Sequence, residues 1–266
     1  MKAILLLLSS LLVLTGCATT KSPTGRGQTL LFSSQQMSEL GNSSFAQIKQ
    51  QELASQDKAI NSYVNCVANR ITKALPDQNL PWEVVVFESE QVNAFALPGG
   101  HIGVYTGLLN VAINQDQLAT VIGHEVAHVL ANHSNEQVSR AQMTGAGMQL
   151  ADIALGAGGI ADKELYMAAL GLGVQVGYIL PYGRDQESEA DIIGVELMAK
   201  AGFDPAASVE LWKNMSKAGG EQGPELLSTH PSHDQRIAQL QQMQAKAQPL
   251  YQASKLSVKN TCQRPK

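Results

Sequence analysis

The sequence has 266 residues, of which 44% are hydrophobic and 16% are charged. A chain of this length can bury a sizeable core, and a disordered chain would carry more charge and fewer aliphatic side chains. The net charge is −4, and no block of lysines and arginines interrupts this mild acidity. The composition therefore indicates a globular protein and argues against a nucleic-acid binder.

The N-terminus has the pattern of a bacterial export signal. A positive charge at Lys2 precedes an apolar stretch over residues 3–13, and Leu14-Thr15-Gly16-Cys17 follows. This ending resembles a lipobox, in which the signal is cut before a cysteine that then receives lipid. We expect a signal peptide over residues 1–16 and a lipidated Cys17; a simple signal peptide or an N-terminal anchor is the alternative. By resemblance to enterobacterial sorting rules, Ala18 favours the periplasmic face of the outer membrane.

The following elements are predicted from periodicity and from turn residues. Residues 17–33 hold the lipidated cysteine and a flexible tether rich in Thr, Ser, Gly and Lys. The next elements are a weakly amphipathic helix over 34–54, a stronger helix over 57–75 capped by Asp57, a strand over 82–87, and two short strands over 93–97 and 101–105 around Pro98-Gly99-Gly100. From residue 115 onward the pattern is almost wholly helical. We place one domain over 34–250 and a C-terminal tail over 251–266.

Two cysteines remain after Cys17, namely Cys66 and Cys262. An exported protein meets an oxidising compartment, where free thiols are unusual. We expect a disulfide between Cys66 and Cys262. The alternative is a pair of isolated thiols that pack as small apolar groups.

The segment His124-Glu125-Val126-Ala127-His128 contains the pattern H-E-x-x-H on an apolar helix. Residues at i and i+4 share one helix face, so both imidazoles can point at one zinc ion. Glu125, beside the first histidine, can reach a water at the metal. The alternative is a solvated polar face, but the surrounding residues predict a buried helix, where these side chains need a partner.

A third ligand is expected further along the chain. Glu187 and Asp191 lie four residues apart at the start of an apolar helix and share one face. One carboxylate could bind zinc while the other orients a histidine. Taken alone, the pair fits an ordinary acidic first turn of a helix better than a metal site.

Together these segments resemble the gluzincin peptidases grouped with the membrane protease HtpX, the CAAX prenyl proteases and the periplasmic protease BepA. The resemblance rests on five motifs in order over about residues 34 to 245: residues 93–105, HEVAH at 124–128, ESEAD at 187–191, Ser228-Thr229-His230-Pro231, and Arg236-Ile237. The sequence departs from HtpX and the prenyl proteases in lacking multiple transmembrane helices. It is therefore similar to the periplasmic lipoprotein branch, which implies an α+β, mainly helical, zincin-like fold with a small sheet whose edge strand flanks the active-site helix.

The resemblance also implies residue roles. His124, His128 and Glu187 would hold one Zn²⁺ per chain, with an open fourth position. Glu125 would be the general base, and Asp191 would orient a ligand histidine. His230 and Arg236 would approach the metal from the far side, where either could stabilise the oxyanion, or His230 could fill the fourth position and hold the enzyme inactive.

The remaining histidines and the strand at 101–105 receive weaker assignments. We expect that strand to bind an extended substrate at its edge, with these substrate-binding residues: Asn93, Ala94, His101, Gly103 and Tyr105. His133 is expected to be a structural or surface residue, and His233 a surface residue.

Eight glycines lie between Gly145 and Gly177, and residues 165–183 carry no charge. This segment is expected to be a pair of helices packed over the active site. The alternatives are a mobile lid over the cleft and a surface that contacts a membrane. Its glycines, together with Gln175 and Pro181, argue against a transmembrane span.

The sequence therefore predicts a zinc endopeptidase of the bacterial cell envelope that hydrolyses misfolded or misassembled envelope proteins and is held at the membrane by its lipid. The alternative is a periplasmic chaperone or assembly factor for outer-membrane proteins that uses the same cleft. An inert structural lipoprotein is a third possibility, and it predicts no bound zinc.

Overall fold

A computed structural model describes residues 19–76, 80–158, 162–175, 180–218, 230, 234–256 and 261–265. The expected signal peptide, Cys17 and His233 lie outside these residues. Within them the chain forms a two-stranded and a three-stranded sheet and eight α-helices. The strands are β1 Thr19–Lys21, β2 Gly27–Thr29, β3 Glu83–Phe87, β4 Ala94–Leu97 and β5 His101–Tyr105. The helices are α1 Ser34–Gln51, α2 Lys58–Lys73, α3 Gln115–Leu130, α4 His133–Ala157, α5 Lys163–Val174, α6 Leu180–Lys200, α7 Ala207–Ala218 and α8 Asp234–Lys255.

The first helices begin where their side chains can satisfy free backbone donors. Ser33 and Gln36 form a reciprocal capping box at the start of α1. Asp57 accepts hydrogen bonds from the second and third amides of α2, and Asn114 does the same at α3. These caps place the helix starts within one residue of the positions predicted from the sequence.

The three-stranded sheet has the order β3-β5-β4. β5 pairs in parallel with β3 and antiparallel with β4, to which it is joined by a turn through Gly99 and Gly100, both at positive φ. The sheet has helices on both faces. One face contacts α2 and α3, and the other packs its aromatic side chains against Phe45 of α1. The α+β, mainly helical architecture predicted from the sequence is confirmed.

Helix α3 is the centre of the molecule. Every residue from Gln117 to His128 is buried, polar side chains included. The helix is surrounded by α2, α6, α7 and β4, and the main core is built from these elements. Such a helix has no solvated face, so each polar group on it must find a partner inside the protein.

The approach of α6 to α3 is close because both helices carry glycine at the contact. A Cβ atom on Gly194 would lie 2.9 Å from the backbone nitrogen of His124, and one on Gly123 would lie 3.0 Å from the carbonyl oxygen of Gly194. Two larger residues would therefore push the helices apart. This contact lies one helical turn from Asp191 and two turns from Glu187, so it sets how near the carboxylates of α6 come to α3.

The expected flexible tether over 17–33 is wrong for its described residues. β1 and β2 form an antiparallel hairpin in which Gln28 is buried, and the backbone amide of Leu31 donates to Ser139 of α4. Arg26 at the hairpin contacts both Glu136 and Glu189. The composition of the segment is typical of a linker, but long-range bonds hold it against the domain.

The C-terminal segment is held on the domain, and the expected disulfide is confirmed. Cys262 forms a disulfide with Cys66 of α2, across 196 residues of sequence. The backbone amide of Cys262 donates to Gln115 at the start of α3, and Arg264 donates to the carbonyl oxygens of Leu109 and Ile113. Helix α8 itself continues to Lys255, past the expected domain boundary at residue 250.

The glycine-rich segment forms α4 and α5, which contact each other. Part of it, residues 159–161 and 176–179, lies outside the described residues. Several large apolar side chains of the pair are exposed, including Leu150, Ile153, Leu165 and Leu172. The faces that carry these side chains are therefore not covered by the rest of the described chain. None of the described helices has the length and apolar character needed to cross a bilayer.

The glycine contact between α3 and α6 can be tested with Gly194→Ala. The added methyl group has no space, so we expect a loss of about 1–3 kcal/mol in unfolding free energy, measured by thermal or urea denaturation. Gly145→Ala is the matched control, because a Cβ there meets nothing within 4 Å. In an open helical position alanine stabilises by up to about 1 kcal/mol. Equal effects of the two substitutions would contradict the close contact.

Candidate metal centre

Four side chains converge at one point: two come from α3, one from α6, and the fourth is His230. Ligand atoms of His124, His128, Glu187 and His230 all lie within 4.8 Å of one another. Nε2 of His128 is 3.1 Å from Nε2 of His124, which in turn is 3.3 Å from a carboxylate oxygen of Glu187. Nδ1 of His230 is 2.9 Å from Glu187 and 3.3 Å from His124.

These separations fit a tetrahedral zinc ion. With bonds of about 2.0–2.1 Å, neighbouring ligand atoms in a tetrahedron lie about 3.3 Å apart. Five of the six residue pairs in the cluster approach to 2.9–3.4 Å, close to this value, and all four ligand atoms lie within 4.8 Å of one another. Three imidazoles and one carboxylate are also ligand types that zinc takes. The residues present therefore fit the metal.

The electrostatics of the cluster also favour a cation. Burial by itself lowers the pKa of His124, but Asp191 and Glu187 raise it to about 9. Burial opposes the charged form of Glu187 too, yet hydrogen bonds from His124 and His230 hold its pKa far below the usual range. Burial and the nearby His124 lower the pKa of His128. The two histidines are therefore not both positively charged. The site attracts positive charge that its own side chains cannot fully supply.

Glu125 lies beside this cluster with one oxygen available. It is 4% exposed, and burial raises the pKa of its carboxyl. The backbone amide of Ala96 in β4 donates to the carboxylate. Its Oε1 has no hydrogen-bond donor among the described residues and lies 3.4 Å from Nε2 of His230. The carboxylate is thus fixed by β4 while one oxygen can still accept a proton.

Asp191 lies behind His124, where the sequence predicted an orienting carboxylate. Its Oδ1 is 3.0 Å from Nδ1 of His124, on the side of the ring opposite the cluster. Arg236 binds Asp191 with both arms of its guanidinium, each at 2.7 Å, and rests on the ring of Trp212. An acceptor at Nδ1 leaves Nε2 free to bind a metal.

Arg236 does not have the position that an oxyanion role requires. The residue is 2% exposed, and its guanidinium is engaged by Asp191 and by Glu187, whose Oε2 lies 3.0 Å away. The prediction that it approaches the cluster from the far side agrees with the geometry, but its contacts are with carboxylates rather than with open space. Two buried carboxylates so close together need a cation between them.

His133 has a contact that the sequence reading missed. It is 1% exposed, and its Nδ1 forms a 2.8 Å hydrogen bond with Nδ1 of His128. The two histidines are five residues apart, which is not the spacing of one helix face. Asn132, with φ at 55°, lies between α3 and α4 and turns the chain so that His133 returns towards His128. The signal available in the sequence was the asparagine after the motif, since asparagine adopts the left-handed region more readily than most residues.

The substrate-binding assignments on the strand at 101–105 are wrong. β5 is the central strand, so neither of its edges can receive a peptide. Its alternate residues His101, Gly103 and Tyr105 also point to the face that packs against α1, away from α3. Ring stacking on Phe45 and a 2.7 Å contact with Asn42 hold His101 there.

The edge beside the metal cluster belongs to β4 instead. Its outer edge pairs with no strand among the described residues, and its residue Ala96 contacts Glu125. Asn93 and Ala94, also predicted for substrate, lie at the start of this edge. Where β4 ends, a cleft of about 270 Å³ opens between Pro98 and His128. Strand order could not be read from the sequence, so the prediction fell on the neighbouring strand.

Comparison with known proteins gives two groups of relatives. The "Mitochondrial metalloendopeptidase OMA1" of Schizosaccharomyces pombe is 37% identical over 188 residues, covering 70% of this chain and 53% of the relative. "Metalloendopeptidase OMA1, mitochondrial" of Danio rerio is 34% identical over 236 residues, covering 83% and 49%. The "Beta-barrel assembly-enhancing protease" of Yersinia pestis is 30% identical over 191 residues, covering 68% and 38%. The chain thus spans about half the length of these relatives or less.

The same stretch of sequence matches a described protein family. Residues 54–244, from just after α1 through the first half of α8, match Peptidase family M48. The match includes all four residues of the metal cluster, together with Glu125, Asp191 and Arg236. On this evidence the chain belongs to peptidase family M48.

Proposed function

We propose that this chain is a zinc-dependent endopeptidase. The observation that carries the proposal is the convergence of four ligand atoms to within 4.8 Å of one another, beside an oxygen of Glu125 that has no hydrogen-bond donor among the described residues. Membership of a peptidase family supports it. His124, His128 and Glu187 would hold one zinc ion, which, when bound, would polarise the scissile carbonyl and lower the pKa of the attacking water.

Glu125 is the general base in this proposal. Its Oε1 takes a proton from the attacking water and can later pass it to the leaving nitrogen. The hydrogen bond from Ala96 fixes the carboxylate, and burial raises its pKa, which makes it a better proton acceptor than an exposed glutamate. Asp191 holds His124 in the tautomer that leaves Nε2 free for metal.

The substrate is proposed to bind as an added strand on β4. In the antiparallel pair of β4 and β5, the backbone of Asn93 bonds to Tyr105 of β5. Because successive residues alternate in direction, the backbone groups of Ala94 and Ala96 point to the open edge. An extended peptide there can bond to the free carbonyl oxygens while its own scissile carbonyl lies over the cluster. Recognition through the backbone suits unfolded or locally opened chains of varied sequence.

His230 is proposed to close the site in the resting protein. Its Nδ1 is as far from Glu187 and His124 as two ligand atoms of one zinc ion are from each other. This position suits a fourth metal ligand better than a hydrogen-bond donor to an oxyanion. A fourth protein ligand would occupy the position that a catalytic zinc site keeps open. Activity would then require His230 to move away.

We further propose that the protein acts in the bacterial cell envelope on misfolded or misassembled proteins. The support is the sequence Leu14-Thr15-Gly16-Cys17 after an apolar stretch, together with relatedness to a protein named as a beta-barrel assembly-enhancing protease. Other relatives are named as mitochondrial, so the compartment rests on the N-terminal sequence.

Glu125→Gln tests the mechanism. The amide keeps the shape of the side chain but cannot accept the proton, so we expect cleavage of casein to fall by at least about 10²-fold while the protein still retains zinc. Glu196→Gln is the matched control, because that carboxylate lies on α6 and pairs with lysines at the surface. Parental cleavage by Glu125→Gln would refute the mechanism. Loss of cleavage with full complementation of every envelope phenotype would favour the chaperone alternative.

His230→Ala tests the closed resting state. If His230 blocks the fourth position, its removal leaves three ligands, and we expect zinc to be retained and casein to be cleaved faster than by the parent. If His230 instead stabilises an oxyanion, the same variant cleaves about 10²-fold more slowly. The initial cleavage rate per bound zinc therefore separates the two roles.

Cys17→Ala tests the anchor. We expect the parent to incorporate radiolabelled palmitate in a bacterial host and to fractionate with membranes, and Cys17→Ala to do neither. The double variant Cys66→Ser, Cys262→Ser is the matched control, since it removes the other two cysteines, which form the disulfide, but leaves the motif intact. Equal labelling of parent and Cys17→Ala would exclude lipidation at this residue.

A further inference from the structure

A chain of contacts leads from His128 to the N-terminal hairpin. Nε2 of His128 faces the metal cluster, and its Nδ1 lies 2.8 Å from Nδ1 of His133. Nε2 of His133 lies 3.2 Å from a carboxylate oxygen of Glu189. His133 and Glu189 are both almost fully buried, with 1% and 3% of their surface exposed.

With His133 neutral, one arrangement of protons satisfies every group in this chain of contacts. A carboxylate only accepts, so Nε2 of His133 must donate to Glu189. A neutral His133 then accepts at Nδ1, and His128 must donate to it from its own Nδ1. That leaves the lone pair of His128 on Nε2, pointing at the cluster. The carboxylate of Glu189 therefore sets the tautomer of His128 through an intervening imidazole.

Arg26 of the hairpin holds Glu189 in place. Its Nε donates to Glu189 at 2.8 Å, while its two terminal nitrogens donate to the two oxygens of Glu136 at 3.0 and 2.8 Å. Glu136 is fully buried. Without the guanidinium, two buried carboxylates would face each other unpaired, which is strongly unfavourable.

Other side chains of the hairpin support the same carboxylates. Thr24 donates to Glu189, and Gln28 donates to Glu136 and to the carbonyl oxygen of Ala131, at the end of α3. The hairpin thus surrounds both carboxylates with hydrogen-bond donors.

The two ligand histidines of α3 are therefore supported by similar groups. His124 contacts Asp191 directly, and Arg236 forms an ion pair with that carboxylate. His128 is linked to Glu189 by hydrogen bonds through His133, and Arg26 forms an ion pair with that carboxylate. In each case a carboxylate and an arginine lie behind the imidazole. The second arginine comes from residues outside the stretch that matches the family.

We propose that Arg26, Glu189 and His133 are positioning residues for the metal ligand His128, so that the hairpin of residues 19–29 is a working part of the metal centre. The inference rests on the proposed function in one respect, namely that His128 binds zinc through Nε2. It adds a requirement of its own: metal affinity depends on a segment near the N-terminus, more than 100 residues away in sequence from the ligand it supports.

The test measures zinc affinity in the full-length protein by competition with a chromophoric chelator. Loss of a group behind a ligand histidine weakens metal binding by about tenfold to a hundredfold, and we expect this for Arg26→Ala. The visible spectrum of the cobalt-substituted protein should also change, since it reports the ligand geometry. Lys21→Ala is the matched control, because Lys21 lies in the same hairpin and is exposed. It should keep the parental affinity and spectrum.

His133→Phe provides a second variant that does not depend on the hairpin's charge. Phenylalanine fills the space but cannot accept from His128, so we expect the same weakening of zinc binding and the same spectral change. Asp191→Asn serves as the reference for loss of support at His124. Thermal melting of the zinc-free variants measures their folding separately, and if Arg26→Ala fails to fold, His133→Phe decides.

The outcomes separate this inference from the proposed function. If the parent binds no zinc, the proposed function fails. If the parent binds zinc and His133→Phe and Arg26→Ala keep its affinity and cobalt spectrum, the inference is overturned and the proposed function stands. A lower melting temperature with unchanged affinity has the same meaning, because it assigns the hairpin a purely structural role.

Discussion

The contact between α3 and α6 is the constraint on which the rest of the molecule depends. Two glycines face each other there, and neither has room for a side chain. Because the helix axes come so close, carboxylates on α6 reach imidazoles on α3 inside the core. A peptide-bond hydrolase needs its metal ligands held rigidly and away from bulk water. In this fold one backbone contact provides both conditions.

Placing so many ionisable groups in a core carries an electrostatic penalty, and the structure offsets part of it by pairing carboxylates with arginines. Glu187, Asp191 and Arg236 form one buried set, and Glu136, Glu189 and Arg26 form another. Removing one member of such a set leaves an uncompensated charge, which costs far more than the pair contributes. The two sets differ in origin: the first is built within the helical domain, whereas the second is completed by the hairpin.

The sequence predicted what depends on local spacing and missed what depends on distant partners. The helix that carries His124 and His128 was predicted from its apolar periodicity and from the four-residue spacing of the two histidines. The hairpin was taken for a tether, because its order comes from Arg26 and its partners more than 100 residues away. The position of β5 in the sheet was missed for the same reason, since a strand's own residues do not state its neighbours. His133 was missed because a left-handed turn at Asn132, not helical spacing, brings it to His128.

The disulfide between Cys66 and Cys262 has a topological consequence beyond its effect on stability. It closes a covalent ring of the polypeptide that contains both sheet edges and every member of the metal cluster. One broken peptide bond anywhere in that ring opens it but releases no fragment, because the two new ends remain joined through sulfur. A chain that is itself a protease, by the function proposed, can thus be cut once within the ring and keep its parts together.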